Sequence, residues 1–271
     1  MASLMTMDNG IEVKTWEDFG FKPIMDHDNP SQSDFSFKTM HVAGLNGTLD
    51  FGAEIEGKTG IEINLHKFGQ ESALSRSIDE VNRFFFDEFK QPRYIKTIFD
   101  YDSSRYVWLK IAESFTPNRK SLSKELKVSF VQFDDKKYSV HEAENIVWGS
   151  QVIDFRDNYT LGNTGAGAKD LQVTTNTTLR PYIDGLALMP YITLQGTGTN
   201  VRFVCAGKTI TVGTFSNATI EIDTENYIVY RNGVEVIYDL DEFYFVPGQP
   251  VLVQGDNMNF KLTFHYRDIY I

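Results

Sequence analysis

Cysteine is almost missing from this sequence, which contains one cysteine, Cys205, among 271 residues. A single cysteine cannot form a disulfide within the chain, so a disulfide-linked fold is excluded. The residues just before it (Val-Arg-Phe-Val) are mostly apolar, so we predict a small buried side chain and not an activated thiolate. An unpaired cysteine also favours folding in a reducing cytoplasm.

Long hydrophobic runs and a basic excess are missing as well. No apolar stretch approaches the roughly 18 to 20 residues that span a bilayer, so we expect no membrane partner. Residues 1–10 lack a basic region followed by an apolar block, so we expect no secretory signal. Basic residues number 26 against 37 acidic residues, which gives a net charge of −11. Because phosphate backbones require a cationic surface, we expect no sequence-specific nucleic-acid binding.

The residue patterns that mark catalytic and metal sites are absent from the sequence. The five histidines do not fall in metal-ligand spacing, and neither G-x-S-x-G nor H-E-x-x-H occurs. The glycine-rich residues 44–52 lack the Lys-Ser/Thr of a phosphate-binding loop. The pairs Asp100/Asp102 and Asp134/Asp135 are interpreted as exposed turn acids. We therefore predict no enzyme, with no catalytic, cofactor-binding or metal residues and no cofactor, although a pair of placed carboxylates remains open.

Alternation of apolar and polar residues is the dominant pattern in the second half. It runs through residues 191–194, 220–223 and 257–267, which predicts strands with one buried face and one wet face. Asn232-Gly233 suits a type I′ turn, so residues 227–236 are predicted to form a hairpin. Short strands with turn signals between them indicate an antiparallel β-sandwich.

The first half predicts strands and one helix. The helix is placed at residues 77–90, with Ser77 as its cap, an apolar face that ends at Phe89, and Pro92 as its stop. Strands are predicted within residues 11–21 and 31–69, at 94–101, 105–115 and 123–133, and after the boundary at 145–155 and 171–179. The polar run at 134–137 marks a domain boundary, which gives domains 1–137 and 138–271.

Several short motifs occur in the order and spacing typical of one phage protein family. The N-terminal half contains V-x-G-x-N-G-x-L-D-x-G, and the C-terminal half contains P-x-I-x-L-x-G, then I-x-I-D with Y-x-N-G, then P-G after a phenylalanine. These motifs comprise Val42, Gly44, Asn46, Gly47, Leu49, Asp50, Gly52, Pro190, Ile192, Leu194, Gly196, Ile220, Ile222, Asp223, Tyr230, Asn232, Gly233, Phe243, Pro247 and Gly248. With these motifs in both halves, the chain resembles the distal tail proteins of siphophages, the Dit-like baseplate hubs.

The resemblance implies a mainly β fold. Domain 1–137 would be a tail-tube-like β-barrel or sheet with one helix, and domain 138–271 a galectin-like antiparallel β-sandwich. The resemblance also implies a hexameric ring of self-associated copies at the virion tail tip, assembled in the cytoplasm of the bacterial host. Its partners would be the major tail tube protein, the tail-associated tip protein and receptor-binding or baseplate proteins.

An alternative class is a carbohydrate-binding module that contacts the host cell wall. Trp148, Tyr159 and Tyr182 are the aromatic residues that would offer stacking platforms to a sugar. Because a galectin-like fold names only an architecture, sugar binding does not follow from it. The binding residues of the chain are therefore unknown from the sequence.

Overall fold

The protein, seen in a computed structural model, consists of two compact units, Met1–Lys137 and Tyr138–Ile271. The structure describes residues 3–24, 27–32, 34–42, 46–119, 123–146, 169–237 and 240–271. Most of these residues lie in antiparallel strands, and the described part of the chain contains one α-helix. The prediction of a mainly β fold with a single helix is confirmed.

The first unit is an antiparallel sheet with a helix packed against it. Its elements are β1 (Met5–Asp8), β2 (Val13–Thr15), β3 (Lys22–Pro23), β4 (Asp34–His41), β5 (Thr48–Phe68), α1 (Glu71–Phe85), β6 (Ile95–Phe99), a 3-10 turn (Asp100–Asp102), β7 (Arg105–Ile111) and β8 (Ser123–Gln132), followed at the unit boundary by β9 (Lys137–Ser139). The strand order is β2-β1-β6-β7-β8-β5-β3, with β4 paired to β5. In the described residues this path is open, so the predicted sheet is confirmed and its barrel alternative is wrong.

Strand β5 serves two structures in succession. Its last residues pair with β8 from Ile61↔Phe130 to Phe68↔Ser123, and its side chains Ile61, Ile63 and Leu65 are buried. Its first residues pair instead with β4, from His41↔Thr48 to Asp34↔Gly57. We call these two paired segments, β4 and residues 48–57 of β5, the hairpin arm. The arm is therefore a continuation of a core strand.

Helix α1 covers the sheet with an apolar stripe. Leu74, Val81, Phe84 and Phe85 are buried, at the spacing of one helix face. Phe85 lies 5.6 Å from the ring of Phe130 on β8, centroid to centroid. The aromatic contacts between helix and sheet thus form the centre of the core of this unit.

The predicted helix bounds are wrong at both ends. The helix starts at Glu71, after Gln70, so Ser77 is an interior residue and not a cap. Ser77 is buried, and its hydroxyl accepts a hydrogen bond from Lys67 Nζ at 2.8 Å. At the other end, the Asp87 carboxylate accepts the backbone N–H groups of Phe89 and Gln91, which holds the chain in a turn. Phe89 consequently lies outside the helix and is 77% exposed.

The second unit contains three long strands and several short ones. Its elements are a 3-10 turn (Ala143–Asn145), β10 (Leu171–Val173), β11 (Thr177–Leu179), β12 (Tyr191–Cys205), β13 (Lys208–Asp223), β14 (Ile228–Arg231), β15 (Val234–Val236), β16 (Val251–His265) and β17 (Ile269–Tyr270). The strand order is β10-β16-β12-β13-β14-β15, with β11 also paired to β16. The predicted strand at 145–155 lies almost entirely outside the described residues.

The long strands bend, and the sheet folds over on itself. In β12 the buried residues change from Ile192 and Leu194 to Val201 and Phe203, because register shifts between Gly196 and Arg202 reverse the alternation. Phe203 pairs with Val253, which is eleven residues before Phe264, about 36 Å in an extended strand. Their rings nevertheless lie 6.4 Å apart. One hydrogen-bonded sheet therefore supplies both layers of the core.

Two local predictions in this unit are confirmed. Asn232 and Gly233 have φ values of 54° and 77°, and they join β14 to β15 as a hairpin turn. The alternating side chains at the chain end, Met258 through Tyr266, are buried at every second position. The sequence period thus correctly identified the buried face of β16.

Candidate assembly surface

The hairpin arm leaves several large apolar side chains uncovered among the described residues. All eight residues of β4 are exposed. The exposed apolar side chains of the arm are Phe35 (47%), Phe37 (64%), Met40 (48%), Leu49 (41%) and Phe51 (61%). Soluble monomers rarely expose a contiguous apolar patch of this kind unless it binds something.

The strand register shows which of these side chains lie together. Phe37 lies opposite Ala53, and Met40 lies opposite Leu49. Because directly opposed residues in an antiparallel pair point to the same side, Phe37 and Ala53 share a face, and Phe35 belongs to it by alternation along β4. A register shift between Phe37 and Thr39 separates this face from the apolar pair Met40 and Leu49. Phe35 and Phe37 are in edge-to-face contact, with centroids 5.3 Å apart.

The side of the arm opposite Phe37 carries a polar pair. Lys38 and Glu54 form an ion pair there, with a distance of 2.7 Å between Nζ and Oε2, and both side chains are more than half exposed. An amphipathic two-stranded hairpin is marginal in water when its apolar face is bare. The arm thus has the composition of a segment that gains stability when another surface covers it.

The acidic pairs and the cysteine that the sequence offered for chemistry each have structural contacts of their own. Asp100 accepts a hydrogen bond from the Ser3 hydroxyl, and Asp134 accepts the backbone N–H of Lys136 in a turn. Cys205 is 1% exposed, as predicted, and burial raises the pKa of its thiol, which opposes thiolate formation. Among the described residues, no group of three or more His, Cys, Asp or Glu side chains could hold a metal ion.

Of the three aromatic residues considered for sugar stacking, Tyr182 lies in the described part of the chain. Tyr182 is 44% exposed, and its backbone carbonyl accepts a hydrogen bond from the Tyr266 hydroxyl. Trp148 and Tyr159 lie outside the described residues. Across the ranges that the structure describes, no helix is long and apolar enough to cross a membrane.

A polar cluster that sequence reasoning missed joins residues far apart in the second unit. His265 Nδ1 lies 2.6 Å from Glu144 Oε1, and His265 Nε2 lies 3.1 Å from the Thr193 hydroxyl. The bond to Glu144 raises the pKa of His265, against the opposing effect of burial. Burial opposes ionisation of Glu144, but the bond from His265 lowers the pKa of this carboxyl overall. Both shifts favour the charged form of the pair.

The order hydroxyl, imidazole, carboxylate is also that of a hydrolytic triad. Thr193, however, lies on β12 between two paired strands, opposite Glu221 on one side and Thr263 on the other. The backbone N–H groups around it are committed to the sheet and cannot form an oxyanion hole. The cluster therefore clamps the 3-10 turn at Glu144 onto the end of β16.

Comparison with known proteins shows similarity of fold without similarity of sequence. No family model and no curated protein sequence matches the chain. The crystal structure of the SPP1 Dit (gp 19.1) protein, described as a paradigm of the hub adsorption apparatus in Gram-positive infecting phages, superposes with a TM-score of 0.69. The match covers 98% of this chain and 99% of that chain at 15% identity.

A chain from the phage P2 baseplate in its activated conformation with Ca matches 97% of each chain, at 13% identity and a TM-score of 0.45, a similarity too low to add to the argument. The predicted resemblance to the Dit-like tail proteins is confirmed by the SPP1 match at the level of the fold. Both units of this chain fall within the matched length.

Proposed function

We propose that this protein is a structural hub of a siphophage tail tip, with no reaction to catalyse. It assembles as a hexameric ring at the end of the tail tube. The ring joins the tube to the tail-associated tip protein and carries receptor-binding or baseplate proteins. Two observations support the proposal: the SPP1 Dit fold over 98% of the chain, and the uncovered apolar face of the hairpin arm.

The two units have separate roles in this proposal. Residues 1–137 form the ring, because the hairpin arm belongs to this unit and presents the apolar face that a neighbouring copy would cover. In a closed ring each copy uses one surface to bind its neighbour and a different surface to be bound, so each arm has one recipient. Residues 138–271 form a galectin-like β-sandwich that holds other tail proteins.

Native mass spectrometry of the purified full-length chain over a concentration series tests the proposal. We expect a species of six copies that becomes dominant as concentration rises. Binding to purified tail tubes is a second test, because a hub must bind tube ends even where free rings do not persist in dilute solution. A chain that stays monomeric at every concentration and does not bind tube ends would contradict the proposal.

A further inference from the structure

Lys58 is a buried lysine for which the described residues show no bonded partner. It is 2% exposed and forms no hydrogen bond or ion pair with any other residue in the described ranges. A lysine with so little exposure is costly unless its ammonium is paired or solvated, and a methionine would fill a similar volume without that cost. An anion supplied from outside the described chain would remove the cost.

The backbone is shaped so that Lys58 points inward. In a regular strand, Lys58 and Ile61 would face opposite sides, since they are three residues apart. A register shift between these two residues breaks the alternation, and both line the same cavity. Gly57 has φ of +90°, and a Cβ there would meet the Gln132 carbonyl oxygen at 2.4 Å. The bulge and the glycine together aim the ammonium into the cavity.

The cavity has a positive lining in a strongly acidic protein. Three basic side chains line it, Lys58, Arg105 and Lys137, against one acidic side chain, Asp102. Burial lowers the pKa of Lys58, the nearby charge of Lys137 lowers it further, and Asp135 partly offsets both. The lining charge of about +2 contrasts with the net charge of −11 for the whole chain. An anion is therefore the ligand that this charge favours.

The size of the cavity limits which anion fits. Its volume is about 50 Å³, and one water needs roughly 10 to 15 Å³ by this measure, so it holds about three to five water-sized groups. A carboxylate group fits within that volume. Asn29, Lys58, Tyr101 and Lys137 also line an outer depression of about 350 Å³, which gives the ligand an entry.

We propose that this cavity is a binding site for a carboxylate group, with the Lys58 ammonium as the principal donor and Lys137 and Arg105 as flanking charges. The carboxylate comes from a free small acid or from an Asp or Glu side chain of a second copy. The chemistry is the same in both cases, because the group that meets the Lys58 ammonium is a carboxylate.

The first experiment compares the melting temperature of the full chain in sodium acetate and in sodium chloride at equal ionic strength. We expect acetate to raise the Tm of the wild type with saturation, and equally that of Lys22→Met, an exposed lysine in the same unit. Lys58→Met should show no acetate-specific rise. An equal rise in wild type and Lys58→Met would overturn the proposal.

A second measurement uses the unmodified chain, so that a folding failure of Lys58→Met is not an obstacle. Reductive methylation followed by peptide mass spectrometry reports the reactivity of each lysine. Acetate should slow modification of Lys58 severalfold and leave Lys22 unchanged. No protection of Lys58, together with no acetate-specific rise in Tm, would overturn a site for free acids.

The source of the carboxylate follows from self-association measured by sedimentation. If a second copy supplies it, Lys58→Met weakens association and acetate competes with it. If a free acid supplies it, acetate protects Lys58 while association of Lys58→Met equals that of the wild type. Failure of acetate protection and unchanged association together overturn the proposal. The acetate experiments use the unassembled chain, so their failure would not bear on the ring proposal.

Discussion

Replacing Phe37 with serine should weaken assembly without unfolding the chain. Phe37 is 64% exposed on the apolar face of the hairpin arm. With about 200 Å² for a phenylalanine side chain, the exposed part is about 130 Å². Covering that area at about 25 cal/mol per Å² contributes about 3 kcal/mol to each contact between copies. Its loss corresponds to roughly a 100-fold weaker association.

Sedimentation velocity over a dilution series measures this effect. Phe89→Ser is the matched control, because Phe89 belongs to the same unit, is 77% exposed and lies outside the arm. We expect the Phe37→Ser midpoint for assembly to move to about 100-fold higher concentration, while Phe89→Ser behaves as wild type. Circular dichroism should show both variants folded. Equal midpoints for the two variants would refute the role of the arm.

Three further predictions concern stability. Burial raises the pKa of Asp268 to about 6, so the stability present while its carboxyl is protonated is lost as pH rises through 6. Asp268→Asn should therefore raise the free energy of unfolding at pH 7.5 by up to about 3 kcal/mol. The melting temperature of this variant should depend less on pH between pH 4 and 7 than that of the wild type. His265→Gln should destabilise the protein most at pH values between the unfolded pKa of Glu144 and the unfolded pKa of His265. The difference in unfolding free energy between variant and wild type should narrow as pH rises through the raised pKa of His265, or as pH falls through the lowered pKa of Glu144. Urea titrations measure this difference, and a destabilisation that does not change with pH would contradict the prediction. Gly196→Ala should lower the free energy of unfolding by more than about 2 kcal/mol, because its Cβ would lie 2.3 Å from the Asn259 carbonyl oxygen. Gly233→Ala is the control, because its Cβ would meet no atom within 4 Å, and it should lower that free energy by only about 1 kcal/mol. Denaturant titrations measure both values.

Periodicity predicted the parts of the fold in which one strand face is buried within the chain. The alternation in β16 and the Asn232-Gly233 turn were sufficient, because both depend on local chemistry. The predicted strand at 123–133 agrees with β8 for the same reason. Local pattern and tertiary burial agree in these segments.

Other features depend on long-range packing that a linear pattern does not contain. Ser77 resembles a helix cap, but Lys67 supplies its hydrogen-bond partner from the preceding strand, so the helix begins six residues earlier. Phe35 and Phe37 alternate as in a buried strand and are nevertheless exposed. Their pattern predicts an apolar face correctly, but it does not say whether this chain or another covers that face.

The candidate sites were the hardest features to predict. Glu144 and His265 are separated by 121 positions, and no spacing rule connects them. Lys58 looks like an ordinary exposed strand residue, and only the bulge that precedes Ile61 turns it inward. A glycine on each side of a lysine within two residues, Gly57 and Gly60, is the one local signal in the sequence that is compatible with an irregular strand there.

Electron microscopy of the assembled chain tests the central claim most directly. We predict rings in which the apolar face of each hairpin arm, including Phe35 and Phe37, is covered by the neighbouring copy. Rings or other assemblies in which every arm remains exposed to solvent, with the contacts made elsewhere, would contradict it.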